Sequence, residues 1–520
     1  MNNLRVEKNT DFEILGKTTK DKVQNTETEE LIFGICSTIG SSKEIVIDSL
    51  KRRLKEYNYD VEIIKLSEFI LENTKDELKN IDGKTAMYSE IQFKIQQGNK
   101  LRKNFSPSIL ADLAIEKIHG ERLTIDGELV TDPLRFKTRR ICYIIDSIKN
   151  KEELYLFRSI YKDLFYMFGI FSPLQERNEY LLRKDLSQAE IDELISTDSF
   201  ENNTEGQNVR NTFIHADFFF RMSNKLKAEI DKKTERYLHL IFNSSIITPL
   251  KQERAMYDAQ SAAGNSACLS RQVGAAIVDT EGNLISKGWN DVPKYGGNLY
   301  DENDVEDNRC FVKGYCSNDS EKTKMADSIF EIFDKNIAIS DFLEKNQELK
   351  RELKNILRNS SRVKDLIEFS RSVHAEMHAI INGSQLAGSK MKNGKLYCTT
   401  YPCHNCARHI IVAGITEIYY IEPYIKSLCT SLHEDAITED ENSENSKKVK
   451  ILMYDGVAPR RYLEFFTKTI ERKNKLGQYE YNKIELTRFK PKTKLSLQAL
   501  GTLEQQSVHS LNQMGFYDGK

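Results

Sequence analysis

Tyr401-Pro402-Cys403-His404-Asn405-Cys406, read with His374-Ala375-Glu376 upstream, decides the second half of this chain. His374, Cys403 and Cys406 are the expected ligands of one zinc ion, and Glu376 is a carboxylate placed beside the metal without binding it. Three protein ligands leave the fourth position of a tetrahedral ion open, which separates a catalytic zinc from a structural one. Zinc lowers the pKa of a bound water from about 15.7 towards roughly 7. Glu376, as the catalytic acid–base, is positioned to take that proton and pass it on. Zinc binding also holds both thiols deprotonated.

The flanking pattern agrees. Lys395-Leu396-Tyr397-Cys398-Thr399-Thr400 reads as a strand, Cys403–Ala413 as a helix with Ile410, Ile411 and Val412 apolar, and Ile415–Ile421 as a second strand. Gly414 is placed to end the helix and Pro402 lies near its start. A second helix is expected to begin at His374. Both halves of the metal site then sit at helix N-termini, where the dipole favours thiolate. The combination H-x-E … P-C-x-x-C resembles the signature of zinc deaminases that attack cytosine C4 or adenine C6. A lone C-x-x-C reads equally well as a redox or structural-metal motif; here the HAE triplet, the intervening strand and Pro402 coincide. Cys398, Cys429 and His433 lie outside the signature and read as packing or surface residues.

A chain of 520 residues exceeds one ordinary core, so several domains are expected. Charged residues make up 30% and hydrophobic ones 39%, and no apolar run reaches the length of a membrane span. The polar N-terminus lacks a secretory hydrophobic region. Nine scattered cysteines, two committed to metal, fit a reducing cytoplasm better than a disulfide framework. The net charge of −2 speaks against a polynucleotide substrate, which calls for a basic surface. The expected division is a polar tail at 1–30, a first α/β domain at 31–247, a second at 251–467 with an insertion at about 301–370, and a polar extension at 468–520 with no clear core. A long charged helix is expected over Ser223–Phe242, and an acidic surface loop over Glu434–Asn445.

Upstream of the metal motif, Gly274–Asp279 and Leu284–Trp289 flank the turn Glu281-Gly282-Asn283 and predict a hairpin. Asn290 follows at its rim. The stretch Ser266–Val278, then Gly288-Trp289-Asn290-Asp291-Val292-Pro293, His374–Met377 and Pro402–Ile415, resembles deoxycytidylate deaminase. The resemblance implies a cytidine-deaminase-like α/β/α sandwich in which Asn290 contacts the sugar 3′-hydroxyl. Ala375 and Pro402 are expected against the substrate, and the backbone N–H of Cys403 against the base carbonyl. Lys426, Arg460 and Arg461 are candidate cations for a substrate phosphate. Some members carry a second, structural zinc, but Cys268, Cys310 and Cys316 form no compact metal pattern.

In the first region, the strand Leu31-Ile32-Phe33-Gly34 runs into a glycine- and serine-bearing loop and then an amphipathic helix. That is the setting of a P-loop. Gly34, Gly40, Ser41, Ser42 and Lys43, with Asp146 at the end of a second strand, are the candidate nucleotide-binding residues. Five residues separate the glycines and Lys43 does not directly follow the second, which argues against efficient phosphoryl transfer. The whole layout resembles the bacterial anti-phage deoxycytidylate deaminases, which join a P-loop kinase-like α/β domain to the deaminase domain. That resemblance implies conversion of dCMP and dCTP to dUMP and dUTP, depleting dCTP during infection. It also implies a regulatory nucleotide, an inhibitory small RNA and a homo-oligomer as partners. The rival readings are a tRNA or single-stranded-DNA base deaminase, and a nucleotide- or RNA-sensing protein acting through its first domain.

Overall fold

The computed structural model describes residues 18–19, 23, 26–125, 128–132, 135–200, 208–222, 229–335, 337–360, 362–424, 427–441, 447–469, 471–479, 484–492 and 495–518. It divides into two units, Met1–Thr248 with Asp455–Lys520, and Pro249–Tyr454.

In the first unit, β1 (Leu31–Ser37) is buried at every position. A strand covered on both faces reads as a continuous apolar run and belongs inside a parallel sheet. Its neighbours β3 (Ile141–Asp146) and β4 (Phe165–Phe171) both run parallel to it. β2 (Asp60–Lys65) lies outside β3, and β5 (Phe218–Arg221) outside β4. The short strand Gly456–Val457 closes that edge antiparallel to β5. Phe33, Phe168, Phe218 and Phe465 form a chain of ring contacts 5.1–5.2 Å apart on one face. α1 (Lys43–Glu56) follows β1 and buries Val46, Ile47, Leu50 and Leu54.

The first unit also claims the end of the chain, which differs from the expected boundary at 467. Residues from Asp455 onward fold with the first sheet. The region expected to lack a core contains the helix Leu497–Gln513, which packs on α2 (Ile109–Leu123) and buries Leu497, Leu500 and Leu511. Glu504 of that helix is fully buried, and Arg122 of α2 grips it through two hydrogen bonds of 2.7 and 3.0 Å. A glutamate in the middle of the apolar stripe disguised it. The charged helix expected over Ser223–Phe242 is observed as Ile230–Phe242, its earlier part lying outside the described residues. A further helix of this unit is Gln188–Phe200.

In the second unit, β6 (Gly274–Val278) and β7 (Leu284–Trp289) form the expected hairpin, with Gly282 turning it at φ +85°. β6 pairs antiparallel with β8 (Lys395–Thr400). Then β9 (Glu417–Glu422), β11 (Val449–Met453) and β10 (Ile437–Thr438) continue the sheet in parallel. β10 falls inside the segment expected to be a plain acidic loop. Two glycines show how helices reach the sheet. A Cβ on Gly274 would strike the backbone of Ala259 in α3 (Lys251–Ala263), and one on Gly288 would strike Ala375 and Ala379 in α4 (Ala375–Met391). Gly288 pairs with Ala275, the residue after Gly274, and successive strand residues face opposite sides. α3 and α4 therefore cover opposite faces, giving an α/β/α layering. Three helices, Ser317–Asp334, Ile337–Glu344 and Gln347–Asn359, occupy the expected insertion. No helix among the described residues is long and apolar enough to cross a membrane.

Candidate metal centre

The two halves of the motif are delivered by two helix starts. His374 is the N-cap of α4, and Cys403 is the N-cap of α5 (His404–Val412), where its sulfur accepts the Cys406 N–H at 3.4 Å. β8 leads directly into Cys403, and Gly414 turns the chain after α5 at φ +74°. α4 and α5 pack against each other. Capping by a sulfur, rather than by serine or aspartate, orients a thiolate towards the positive end of the helix.

His374 Nδ1 lies 3.3 Å from Cys403 Sγ and 3.3 Å from Cys406 Sγ. One ligand atom from each of the three residues falls within 4.8 Å of the others, and both cysteines are buried. The donor set, one imidazole and two sulfurs converging on a point, fits zinc. The hydrogen bond from the Cys406 thiol, opposed by burial and aided by His374, brings the Cys403 thiol down to about 4. Burial would lower His374, yet its bond to Cys403 and that thiolate's charge take it up to about 9. Burial pushes the Cys406 thiol well up. A divalent cation bound here would displace the protons of His374 and Cys406 and hold both sulfurs as thiolates.

Glu376 is 5% exposed, in the first turn of α4. Burial, and then the neighbouring Cys403 thiolate, raise its carboxyl above the ordinary glutamate value, with His374 pulling the other way. A carboxyl raised by its surroundings is a stronger base than an exposed glutamate, which suits it to accept a proton from water. The thiol of Cys398, beneath on β8, is pushed well up by burial and by the charge of Glu376.

Asn290, directly after β7, is held by backbone on two sides. Its Oδ1 accepts the Val273 N–H at 2.7 Å and its Nδ2 donates to the Arg271 carbonyl at 2.9 Å. Ala375 is fully buried under Gly288. The Pro402 carbonyl accepts the Ser427 hydroxyl at 2.7 Å. Lys426 lies outside the described residues. Arg460 and Arg461 do not belong to this unit: both pair with Asp217, beside β5 of the first sheet, and Arg461 also with Glu464. A buried carboxylate at Asp217 explains why two adjacent arginines stand there.

Several neighbours were not anticipated. His378, one turn after His374, accepts the Trp289 N–H at Nδ1 (3.3 Å), meets Asn298 Oδ1 at Nε2 (3.0 Å), and lies edge-on to the Trp289 ring at 4.7 Å. Its i,i+4 spacing from His374 was a usable signal. Arg271 pairs with Glu422 at 2.9 Å and stands over the Tyr424 ring. His404 Nε2 lies 3.4 Å from Glu368 Oε1, an approach between a motif residue and the stretch before α4 that no local pattern signals.

In the first unit, Gly40 adopts φ +80°, and Lys43 Nζ donates to Asp146 Oδ1 at 2.5 Å and to Ser147 Oγ at 2.7 Å. The end of β1, the start of α1 and the end of β3 are thereby brought together. Gly34 is packed under Phe165 and Ile148, where a Cβ would lie 2.6–2.7 Å from side-chain atoms. Its absent side chain therefore serves packing. Ser41 is buried and its hydroxyl meets Thr38 Oγ1 at 2.7 Å, while Ser42 caps α1 without a side-chain bond.

Residues 249–422 match the model of the cytidine and deoxycytidylate deaminase zinc-binding region. ComE operon protein 2 of Bacillus subtilis (strain 168) is 44% identical over 55 residues, 11% of this chain and 29% of that protein. Deoxycytidylate deaminase of Enterobacteria phage T2 is 26% identical over 183 residues, 34% of this chain and 83% of that protein. The dCMP deaminase from the cyanophage S-TIM5 in apo form aligns with 40% of this chain and 100% of its own at 17% identity, with a TM-score of 0.21. The chain thus spans under a third of the Bacillus relative and most of the phage T2 one. Residues 249–422 form a domain of the cytidine and deoxycytidylate deaminase family.

Proposed function

We propose that the second unit hydrolytically deaminates free deoxycytidine nucleotides, dCMP or dCTP, to the corresponding deoxyuridine nucleotides and ammonia. The observation that carries this reading is the convergence of His374, Cys403 and Cys406 within 4.8 Å, with the buried Glu376 carboxyl beside them. Zinc, held by those three residues, supplies the Lewis acidity that makes water a competent nucleophile at neutral pH.

The remaining work falls to the chain. Glu376 accepts the proton that water loses on attacking C4 and delivers it to ring N3. It then takes the proton of the hydroxyl added at C4 and delivers it to the amino group, the C4–N bond breaks, ammonia departs and C4 keeps the oxygen as a carbonyl. Burial raises the carboxyl and so strengthens it as the base that takes the proton from water. Asn290 spends one lone pair and one N–H on the backbone and keeps one of each for a sugar hydroxyl. The Cys403 N–H, at the start of α5, is the donor for the base carbonyl, with Ala375 and Pro402 as walls.

The net charge of −2 favours a free nucleotide over a polynucleotide. Depletion of dCTP as an anti-phage defence rests on the resemblance of the overall layout, as do a regulatory nucleotide and an inhibitory small RNA. The deciding experiment incubates purified protein with dCMP, dCTP, single-stranded DNA and tRNA, with and without dTTP, and resolves products by chromatography. Uracil appearing in the mononucleotides supports the reading; turnover confined to a polymer overturns it.

A further inference from the structure

Cys398 stands outside the metal motif, yet the sheet carries it to the motif's carboxylate. Ala275 of β6 pairs with Gly288 of β7 on one side and with Cys398 of β8 on the other. Residues directly opposite one another across strands present their side chains to the same face. Gly288 fixes which face this is, because a Cβ on it would strike Ala375 and Ala379 of α4. The Cys398 side chain is therefore on the α4 face, under the helix whose first turn carries Glu376. Cys398 is fully buried and Glu376 nearly so, and the two meet away from bulk water.

The Cys398 sulfur is held from two directions. The Thr400 N–H donates to it, and the thiol is hydrogen-bonded to the Glu376 carboxyl. An ionised carboxylate only accepts, so the S–H is the donor of that pair. Burial, and then the charge of Glu376, keep the proton on this sulfur.

Cys406 also bonds the Glu376 carboxyl. The two thiols differ in what metal does to them. A zinc ligand is a thiolate, which has no proton to donate. Cys398 lies outside the cluster of His374, Cys403 and Cys406 and keeps its proton when that cluster is loaded. Of the two, it is the thiol that still donates to Glu376 in the metal-bound chain. Proton transfer needs heavy atoms about 2.6–3.2 Å apart, and a glutamate side chain meets that only when its torsions are held.

We propose that Cys398 is a positioning residue for Glu376, its S–H donating to one carboxylate oxygen and holding the group in one orientation for proton transfer. This inference rests on the deaminase reading of the second unit and adds to it a residue that the metal motif leaves out.

The test uses the full chain loaded with zinc. Cys398→Ala removes the donor without adding bulk, and Cys398→Ser keeps a donor at the same place. Cys398→Ala is expected to lower kcat for the deoxycytidine nucleotide that is turned over by at least about fivefold, the worth of one hydrogen bond from a weak donor. KM and zinc content should stay as in the unaltered protein, and Cys398→Ser should recover most of the lost rate. A second readout needs no turnover. The infrared S–H stretch of Cys398, isolated as the difference between the unaltered protein and Cys398→Ser, is expected at the lowered frequency of a hydrogen-bonded thiol. The same difference taken in a Glu376→Ala background should move up, because the acceptor is gone. An S–H band that Glu376→Ala leaves in place, or a Cys398→Ser rate as low as that of Cys398→Ala, overturns the proposal. Absence of turnover on every nucleotide by the unaltered protein sinks the deaminase reading instead, and the infrared band tells that failure from a missing Cys398–Glu376 contact.

Discussion

Gly288 on β7 and Ala375 on α4 meet backbone to backbone: a Cβ on Gly288 would lie 2.3 Å from the Ala375 carbonyl oxygen and 2.3 Å from the Ala379 nitrogen. Ala375 stands between His374 and Glu376, so this contact sets the height of both above the sheet. Gly288→Ala must push α4 away from β7. Overpacking costs about 1–3 kcal/mol and sometimes more, and rigid backbone puts this case at the upper end. The expected outcome is a lower denaturation midpoint together with a lower deamination rate. A variant equal to the unaltered protein in both would show that the contact does not position the site.

Glu376→Ala is expected to cut the deamination rate by at least about 100-fold, the lower range for a general acid–base group. Zinc content should stay the same, because the carboxyl is not a ligand. Paired measurements of turnover and metal stoichiometry check this. Substantial turnover in a zinc-replete sample would remove Glu376 from the mechanism.

Removing the metal tests the ligand set. One zinc per chain is expected by elemental analysis, lost on dialysis against a strong chelator and regained with activity on adding zinc. Cys403→Ala and Cys406→Ala should each fail to regain it. Cys429→Ala serves as the control, since that buried cysteine stands outside the His374, Cys403, Cys406 cluster.

What could be read from the chain followed the range of each interaction. The Cys403 half-site, the β6–β7 hairpin and the turn at Gly414 are written within a few residues, and the helix, the strands and the turns stand where the pattern put them. Arg460 and Arg461 looked like phosphate cations because their partner, Asp217, lies far away in sequence. The backbone bonds that fix Asn290, from Val273 and Arg271, likewise depend on how the strand end folds back. Helix Leu497–Gln513 was missed because its burial includes Glu504, whose compensating charge comes from α2.

That same pair is expected to make the protein's stability fall in acid. Burial alone would raise Glu504, but Arg122, and then His119, hold its carboxyl below the ordinary glutamate value. A carboxyl depressed in the folded state contributes stability above its unfolded pKa and loses it as pH falls through the folded one. The contribution should therefore be complete at neutral pH and decline below about pH 4.5, near the unfolded value. Glu504→Ala leaves Arg122 buried with Glu30 at 2.7 Å and without its bidentate partner. Breaking a buried pair in this way costs about 3–5 kcal/mol. Denaturant titrations at pH 7 and pH 3.5 should show the variant well below the unaltered protein at the higher pH and closer to it at the lower. An equal gap at both would mean that packing at this position, and not the ionised carboxylate, holds the terminal helix in place.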